Sequence, residues 1–149
     1  MTRSVFTHST LAAAVLVAAM FSFAPYAQAE GALAVGYSGD IAKDGVSYGY
    51  STNNATSSEA VENAMKECRV GKNAPNMAAI CKLVTTFKNE CVAVAWDPKP
   101  GTPGMGVGFA PDKANAEARA MEFCKLSAGS GRISFCVVDK SRCDGGTSN

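Results

Sequence analysis

The chain has 149 residues, of which 47% are hydrophobic and 18% are charged, a length and balance typical of one small globular domain. Its 14 basic residues nearly match its 13 acidic residues, and no basic run stands out. Since phosphate backbones are bound by clustered Lys and Arg, this pattern argues against nucleic acid as the main partner.

Residues 1–29 have the pattern of a secretory signal peptide. Arg3 gives a positive start, residues 11–23 are an apolar stretch, and small residues stand at 27 and 29. The 13-residue apolar stretch is shorter than the roughly 20 residues that span a bilayer. We therefore expect cleavage between Ala29 and Glu30, a mature protein without a stable membrane anchor, and a secreted or periplasmic location.

Removing 29 of the 149 residues leaves 120 and takes away His8, the only histidine. Imidazole is the base that activates Ser and Cys nucleophiles, and it is a ligand in most catalytic zinc sites. The mature chain is therefore not expected to be a histidine-dependent hydrolase.

The mature chain is expected to begin with a β-hairpin. Residues 32–38 and 46–51 have strand composition, and Asp44-Gly45 ends the connection between them. Thr56 and Glu59 then form a capping box ahead of an Ala-rich helix. The remaining predicted elements are, in chain order, a strand at 82–87, a strand at 91–96, a Pro- and Gly-rich linker at 98–104, a strand at 105–109, a helix from the Asp112 cap to about Leu126, a strand at 133–139 and a flexible tail at 144–149.

A short motif occurs twice in the mature chain. Residues 60–68 and 116–124 share the pattern A-x-x-x-A-M-x-x-C at an offset of 56. A glycine followed by an aromatic residue precedes each copy, and a further Cys with a β-type run follows it. The repetition indicates two pseudo-repeats, at about 31–97 and 104–143, within a single domain at 30–143.

The predicted strands have one face of large side chains and one face of small side chains, because successive residues point to opposite sides. The small face includes Ala32, Ala34, Gly49, Ala93 and Ala95. Small strand residues let Ala-rich helices approach closely. The sequence therefore predicts an α+β fold in which one antiparallel-type sheet packs against two Ala-rich helices and disulfides staple the domain.

All cysteines lie in the mature chain, and an even number in an exported chain predicts three disulfides. No C-x-x-C pair is present, so neither a metal site, a redox pair nor a cofactor is expected. Cys91 and Cys136 lie on the small face, towards the helices that carry Cys68 and Cys124. The predicted pairs are Cys68 with Cys81, Cys124 with Cys136, and Cys91 with Cys143.

The large face leaves two interpretations open. Either the sheet curls or splits, so that this face becomes the main core, or part of it stays exposed as a binding surface or dimer face. Exposed aromatic patches mark interaction sites. The candidate binding residues on this aromatic face are Tyr37, Tyr48, Tyr50, Trp96 and Phe109.

Taken together, the opening segment at 31–34, the repeated motif, the segment at 91–95 and the last three cysteines resemble a known family. The chain is similar to the small secreted bacterial proteins grouped as domain of unknown function 4189, over about residues 31–143. That family often has Gly after its third Cys, where this chain has Val92, a difference of local backbone geometry. The resemblance implies an exported, disulfide-bonded domain and carries over no activity or catalytic residue.

An enzyme without His or a free thiol would need carboxylates. Asp97 and Asp139 each follow a strand, where they could form an acid–base pair of glycosidase type. However, Asp-Pro is also a common strand stop, and we assign no catalytic residue.

The function expected from the sequence is therefore a binding or inhibitor module with a protein partner in the cell envelope or outside the cell. The alternative is a carbohydrate or cell-wall binding module in which Trp96 stacks on sugar rings. A carboxylate-dependent glycan hydrolase is the remote alternative. No oligomeric state is predicted.

Overall fold

The computed structural model describes residues 30–71 and 74–145, so the predicted signal peptide lies outside the described residues. Within them the fold is α+β, with two three-stranded antiparallel sheets, four α-helices and three disulfides. The elements are β1 (Glu30–Gly36), α1 (Ile41–Asp44), β2 (Ser47–Asn54), α2 (Ser57–Arg69), α3 (Pro75–Ala79), β3 (Lys82–Phe87), β4 (Cys91–Trp96), β5 (Met105–Ala110), α4 (Lys113–Ala128) and β6 (Val137–Cys143).

The first sheet has the strand order β2-β1-β3 and packs against α2. Ala32 and Ala34 of β1 form a buried cluster with Ala60, Ala64 and Cys68 of the helix. Gly49 of β2 lies so close to α2 that a side-chain carbon there would overlap the helix backbone. The small face of the strands therefore contacts a helix, as the sequence predicts.

The second sheet has the strand order β5-β4-β6 and packs against α4. Ala93 and Ala95 of β4 are fully buried against Ala116 and Ala120 of the helix. Gly106 of β5 meets the α4 backbone as closely as Gly49 meets α2. Each half of the molecule is therefore a three-stranded sheet with one helix on its small face.

Both long helices begin at the predicted caps. The Thr56 side chain accepts a hydrogen bond from the backbone N–H of Glu59 at 3.2 Å, and Asp112 accepts one from Asn115 at 2.9 Å. Such caps satisfy N–H groups that have no partner within the helix. The second helix ends two residues beyond the predicted Leu126, ahead of Gly129.

The large faces of the two sheets pack against each other. Leu33, Tyr50 and Phe87 of the first sheet form one buried cluster with Val92 and Val94 of the second. The layers are therefore helix, sheet, sheet and helix. The prediction of one sheet is wrong, because a sheet covered by a helix on one face must bury its other apolar face as well, and each half covers the other. The large face is accordingly mainly core.

The two halves match in register over most of each sheet, although the irregularity between Glu30 and Ala32 in the pairing of β1 with β2 has no counterpart between β4 and β5. A β-bulge between Leu33 and Ala34 shifts the pairing of β1 with β3, and one between Val94 and Ala95 shifts the pairing of β4 with β6. Strand β4, assigned from the motif to the end of the first repeat, pairs with β5 and β6 and is the counterpart of β1. The sheet units therefore divide between β3 and β4, earlier in the chain than the motif indicates.

The disulfides join Cys68 to Cys81, Cys124 to Cys136, and Cys91 to Cys143, the three pairs that the sequence predicts. The first two tie a helix to the segment that follows it. The third links the first residue of β4 to the last residue of β6.

The predicted strand at 133–139 is wrong in its first part. Ile133–Phe135 is a 3-10 turn, and β6 begins only at Val137. The disulfide holds Cys136 beside α4, so the chain leaves the helix end through this turn and enters the sheet afterwards.

The predicted flexible tail is wrong at its first residue, while residues 146–149 lie outside the described part of the chain. The Asp144 side chain is buried, and its carboxylate accepts hydrogen bonds from the backbone N–H groups of Asn53 at 2.8 Å and Asn89 at 3.1 Å. Both asparagines have positive φ angles of 60° and 53°, a region that Asn tolerates. Asp144 thereby fastens β2 to the end of the second sheet.

Candidate functional site

Two connections between strands lie side by side at one end of the sheets. Residues 37–46 join β1 to β2 and contain α1, and residues 97–104 join β4 to β5. Both connections line one cleft, and a side-chain carbon added at Gly101 would lie 3.9 Å from the carbonyl oxygen of Ala42. Loops carried by a rigid scaffold are frequent binding sites. This end of the molecule is therefore the candidate functional site.

The first connection is ordered by the caps of α1. The Asp40 carboxylate accepts a hydrogen bond from the backbone N–H of Lys43 at 3.0 Å. Gly45, with a φ angle of 75°, ends the helix and donates its N–H to the Ile41 carbonyl at 2.9 Å. The side chain of Lys43 is thereby presented from a fixed backbone.

The second connection, predicted as the linker between the halves, instead joins two neighbouring strands of the second sheet. It is held at its base and along its length. The backbone N–H of Asp97 donates to the Gly104 carbonyl at 2.9 Å. The Asp97 carboxylate accepts from the backbone N–H of Lys99 at 3.1 Å, and the Thr102 hydroxyl donates to the Lys99 carbonyl at 2.7 Å. Prolines at 98, 100 and 103 restrict the backbone further. Residues 98–103, called here the proline loop, therefore form a fixed projection.

Arg132 anchors the proline loop through Asp97. Its Nε and Nη2 atoms donate to the two carboxylate oxygens at 2.7 and 2.6 Å, and the Asp97 side chain is fully buried. The hydrogen bonds from Arg132 hold the pKa of Asp97 below its ordinary value of 3.8, and Asp97 raises the pKa of Arg132. The guanidinium also lies 4.0 Å from the ring centre of Phe135. Asp97 is therefore an ionised carboxylate whose charge is balanced by Arg132, and it anchors the proline loop.

The cleft between the two connections, called here the loop cleft, has a volume of about 520 Å³. Its half-buried side chains include Val46, Trp96 and Met105, which form an apolar surface. Its exposed side chains include Lys43 and Lys99, one from each connection. The loop cleft thus combines an apolar floor with two ammonium groups.

A second cleft of about 400 Å³, called here the strand cleft, lies between β2 and β6 and shares Trp96, Val46 and Ala74 with the loop cleft. The Tyr48 hydroxyl donates to the Asp139 carboxylate there. Burial, with this hydrogen bond as the second cause, raises the pKa of Tyr48 well above its ordinary value.

Glu67 provides the other carboxylate of the strand cleft. Its Oε2 atom accepts the backbone N–H of Tyr50 at 3.0 Å, and its Oε1 atom lies 3.9 Å from Nζ of Lys140. Together with Asp139, it gives the strand cleft two acidic side chains beside one lysine. Trp96 therefore separates the loop cleft, whose lysines form no ion pair with the described residues, from the strand cleft, whose carboxylates accept hydrogen bonds.

The structure does not bring the five predicted aromatic residues together on one surface. Trp96 lines both clefts and Tyr48 lines the strand cleft. Tyr50 is 1% exposed, and Phe109 packs edge-on against Phe87 in the core between the sheets. Tyr37 is 52% exposed, and its hydroxyl donates to the carbonyl of Gly39. Packing of the two large faces explains this division.

The hypothetical acid–base pair is also divided. Asp97 lines the loop cleft and is bonded to Arg132, whereas Asp139 lines the strand cleft and is bonded to Tyr48. The described geometry therefore offers no glycosidase-type pair made from these two residues.

Sequence reasoning missed Arg132, the residue that fixes the proline loop. It follows a Gly- and Ser-rich turn at 129–131, and its partner Asp97 lies 35 residues earlier. No spacing or motif links the two, because the contact arises only when the end of α4 is brought to the end of β4.

The described residues contain neither a cluster of metal-ligand side chains nor a membrane-spanning helix. In the ranges 30–71 and 74–145, no group of three or more His, Cys, Asp or Glu could hold a metal ion. None of the helices in those ranges is long and apolar enough to span a membrane.

Comparison with known proteins identifies one family. The family described as "Domain of unknown function (DUF4189)" matches residues 31–143. No curated protein and no solved structure matches the chain.

Proposed function

The chain belongs to the DUF4189 family, and from that premise we propose that it is an exported binding module that holds a protein partner at the loop cleft and the proline loop. The partner is a protein of the cell envelope or the extracellular space. An inhibitor that blocks an enzyme by presenting a fixed loop is one form of such a module.

The observation that carries this proposal is the anchored proline loop. Asp97, whose side chain is fully buried, forms a bidentate ion pair with Arg132 at 2.6 and 2.7 Å, and this pair fixes the base of the loop. A surface fixed before binding loses little conformational entropy when the partner arrives, and this raises affinity. Lys99, Pro100 and Gly101 at the tip are exposed.

The shape of the site is also suited to recognition. A volume of about 520 Å³ lies within the range of ordinary ligand clefts. Trp96, the only tryptophan of the chain, is half-buried at the wall that the two clefts share. Half-buried Trp is common among the residues that contribute most to protein interfaces.

The covalent structure supports an exported location for the proposed module. Three disulfides staple the described residues, and such bonds persist in oxidising compartments outside the cytoplasm. Together with the signal-peptide pattern at 1–29, they favour action in the envelope or beyond it.

Carbohydrate binding is the second candidate, favoured by the strand cleft. There, half-buried Trp96 and Tyr48 stand beside the carboxylates of Glu67 and Asp139. Flat aromatic surfaces pack against the apolar faces of sugar rings, and carboxylates accept hydrogen bonds from hydroxyl groups. A single tryptophan makes this candidate weaker than the first.

The test is recovery of the tagged mature protein from native envelope and culture fractions after crosslinking, with mass spectrometry of the captured proteins. The matched variants are Trp96→Ala in the site and Leu126→Ala, whose side chain is 72% exposed on α4 and lines neither cleft. One dominant partner should be captured by the parent and by Leu126→Ala but not by Trp96→Ala.

Equal capture by all three chains would contradict the proposal that the partner binds at the loop cleft and the proline loop. Retention on peptidoglycan or another polysaccharide, lost in Trp96→Ala, would favour the carbohydrate candidate instead.

A further inference from the structure

Resting on the proposed function, we infer that the loop cleft binds an acidic segment of the partner protein, with its carboxylates near Lys43 and Lys99 and an apolar side chain against Trp96. The charges that line the loop cleft and their internal bonds lead to this assignment.

Among the residues that the structure describes, four charged side chains line the loop cleft: Lys43, Asp44, Asp97 and Lys99. The charge of Asp97 is balanced by Arg132, which donates twice to its carboxylate, whereas the hydrogen bond from the neutral Ser38 hydroxyl at 2.7 Å leaves the charge of Asp44 in place. Neither lysine makes an ion pair with any residue that the structure describes. Two lysines against the one remaining carboxylate of Asp44 leave a net positive charge for a partner to neutralise.

The ion pair between Asp97 and Arg132 determines the sign of the net charge that the loop cleft presents to a ligand. The buried Asp97 carboxylate is adjacent to the loop and would repel an acidic ligand if it stood alone. The positive guanidinium of Arg132, hydrogen-bonded to both carboxylate oxygens, balances this negative charge at the wall of the cleft. The same pair that fixes the proline loop thereby makes the loop cleft suitable for a carboxylate.

The charges of the strand cleft predict how the ligand is oriented in the loop cleft. On the other side of Trp96, the carboxylates of Glu67 and Asp139 line the wall, and the nearby Lys140 lies 3.9 Å from Glu67. An acidic group would meet like charges there, which disfavours that cleft. The acidic end of the segment therefore lies between the two connections, and its apolar part lies on Trp96.

Fluorescence of Trp96 measures this binding directly, because the chain has no other tryptophan. The probes are three pools of acetylated, amidated hexapeptides without Trp, each with one fixed Leu beside two fixed positions that are both Glu, both Gln or both Lys. The remaining positions are random. Apparent dissociation constants are obtained from the change in Trp96 emission at low salt and at about 0.5 M salt.

The Glu pool should bind about tenfold more tightly than the Gln pool, and the Lys pool most weakly, since two exposed charge pairs contribute roughly 1 kcal/mol or slightly more together. High salt should reduce the difference. The double variant Lys43→Glu, Lys99→Glu should prefer the Lys pool. The control Lys113→Glu, Lys125→Glu makes the same change in net charge on α4, outside both clefts, and should keep the Glu preference.

Equal binding of the Glu and Gln pools, an equal loss in the control variant, or no emission change with any pool would overturn the acidic assignment. The proposed function is judged separately, by capture of a native partner that depends on Trp96. Capture that survives Lys43→Glu, Lys99→Glu unchanged would retain the binding module and reject the acidic segment.

Discussion

The two halves of the molecule share most of their strand register but differ in the bond that joins the ends of their strands. Gly31 pairs with Phe87 in the first sheet, and the preceding Glu30 forms a salt bridge with Lys88 at 3.4 Å. The corresponding position of the second sheet holds the disulfide between Cys91 and Cys143. A covalent bond thus secures β6 of the second sheet, whereas the first sheet has an ion pair at the equivalent position.

The opposite end of the sheets differs as well, and the difference creates the candidate site. Gly36, directly after Val35, packs so closely on the Met77 carbonyl that any side chain would overlap it. The equivalent of Gly36 in the second sheet is Asp97, which directly follows Trp96. The equivalent of Met77 is Arg132, because each lies four residues before a disulfide cysteine, Cys81 or Cys136. A close backbone contact in the first half is therefore an ion pair in the second, and only the ion pair anchors a projecting loop.

The largest effect is expected from removal of the second-sheet disulfide. Cys91→Ala with Cys143→Ala frees two residues separated by 52 positions, and loop-closure entropy predicts a loss of about 4 kcal/mol in the free energy of unfolding. Urea unfolding followed by circular dichroism measures this loss. Glu30→Gln with Lys88→Met, the matched change in the first sheet, should cost about 1 kcal/mol or less.

The equivalence of these two positions has a direct test. A chain with Glu30→Cys and Lys88→Cys should form a fourth disulfide, seen as the absence of free thiols and a mass lower by two hydrogens. Two persistent free thiols would show that the two sheet ends are not equivalent.

The next largest effect concerns the close approach of strands to helices. Gly49→Ala and Gly106→Ala each place a methyl group into the backbone of the facing helix, and overpacking of this kind costs about 2–3 kcal/mol. Both should lower the free energy of unfolding by similar amounts if the halves are alike. Gly131→Ala is the control, because nothing lies within 4 Å of its added carbon. A large difference between the first two variants would contradict the repeat.

How far the sequence could predict this fold depends on the range of the interactions. Local signals predict part of it. The caps Thr56 and Asp112 predict the helix starts. The alternation of small strand residues predicts which side of the strands faces the helices, and that side in turn predicts the disulfide pairs. The split into two sheets was not predictable in the same way, because the pairing of β4 with β5 and β6 is long-range and its strand composition suits either sheet. The salt bridge of Asp97 with Arg132 and the burial of Asp144 are also long-range contacts between single polar residues, which no periodic pattern encodes.

A smaller, pH-dependent loss of stability is expected when the ion pair between Asp97 and Arg132 in the second half is removed. Asp97→Asn removes the charge that Arg132 neutralises and should lower the melting temperature at neutral pH. The pKa of Asp97 is lower in the folded protein than its ordinary value of 3.8. Its contribution is therefore full above that value and is lost as the pH falls through the lower, folded pKa.

The difference in melting temperature between parent and Asp97→Asn should therefore shrink on acidification below the ordinary value. Thermal unfolding between neutral pH and strongly acidic pH measures it. A difference that stays constant over this range would mean that the carboxylate charge is not what stabilises the loop. Proteolysis within the proline loop should also become faster in Asp97→Asn, since the loop loses its anchor.

The smallest effect is expected from Tyr50→Phe, and it too compares the halves. Tyr50 pairs with Leu33, and its counterpart Val107 pairs with Val94 without any polar group. The Tyr50 hydroxyl is buried and has no hydrogen-bond partner among the described residues. Removing an unsatisfied hydroxyl should raise the free energy of unfolding by about 0.5–1 kcal/mol at neutral pH. Tyr37→Phe, at an exposed ring, should change it by less than about 0.5 kcal/mol.

At alkaline pH, the free energy of unfolding of Tyr50→Phe should exceed that of the parent by a larger amount than at neutral pH. Burial raises the pKa of Tyr50 from 10.0 to about 12. The unfolded chain therefore releases the phenolic proton first, and the parent loses stability as the pH rises from about 10 through the folded value. Phenylalanine has no such proton, so urea unfolding at pH 7 and near pH 11 should show the difference between the chains widening. A constant difference would mean that the phenol reaches solvent, and that the core between the sheets is looser around Tyr50 than around Val107.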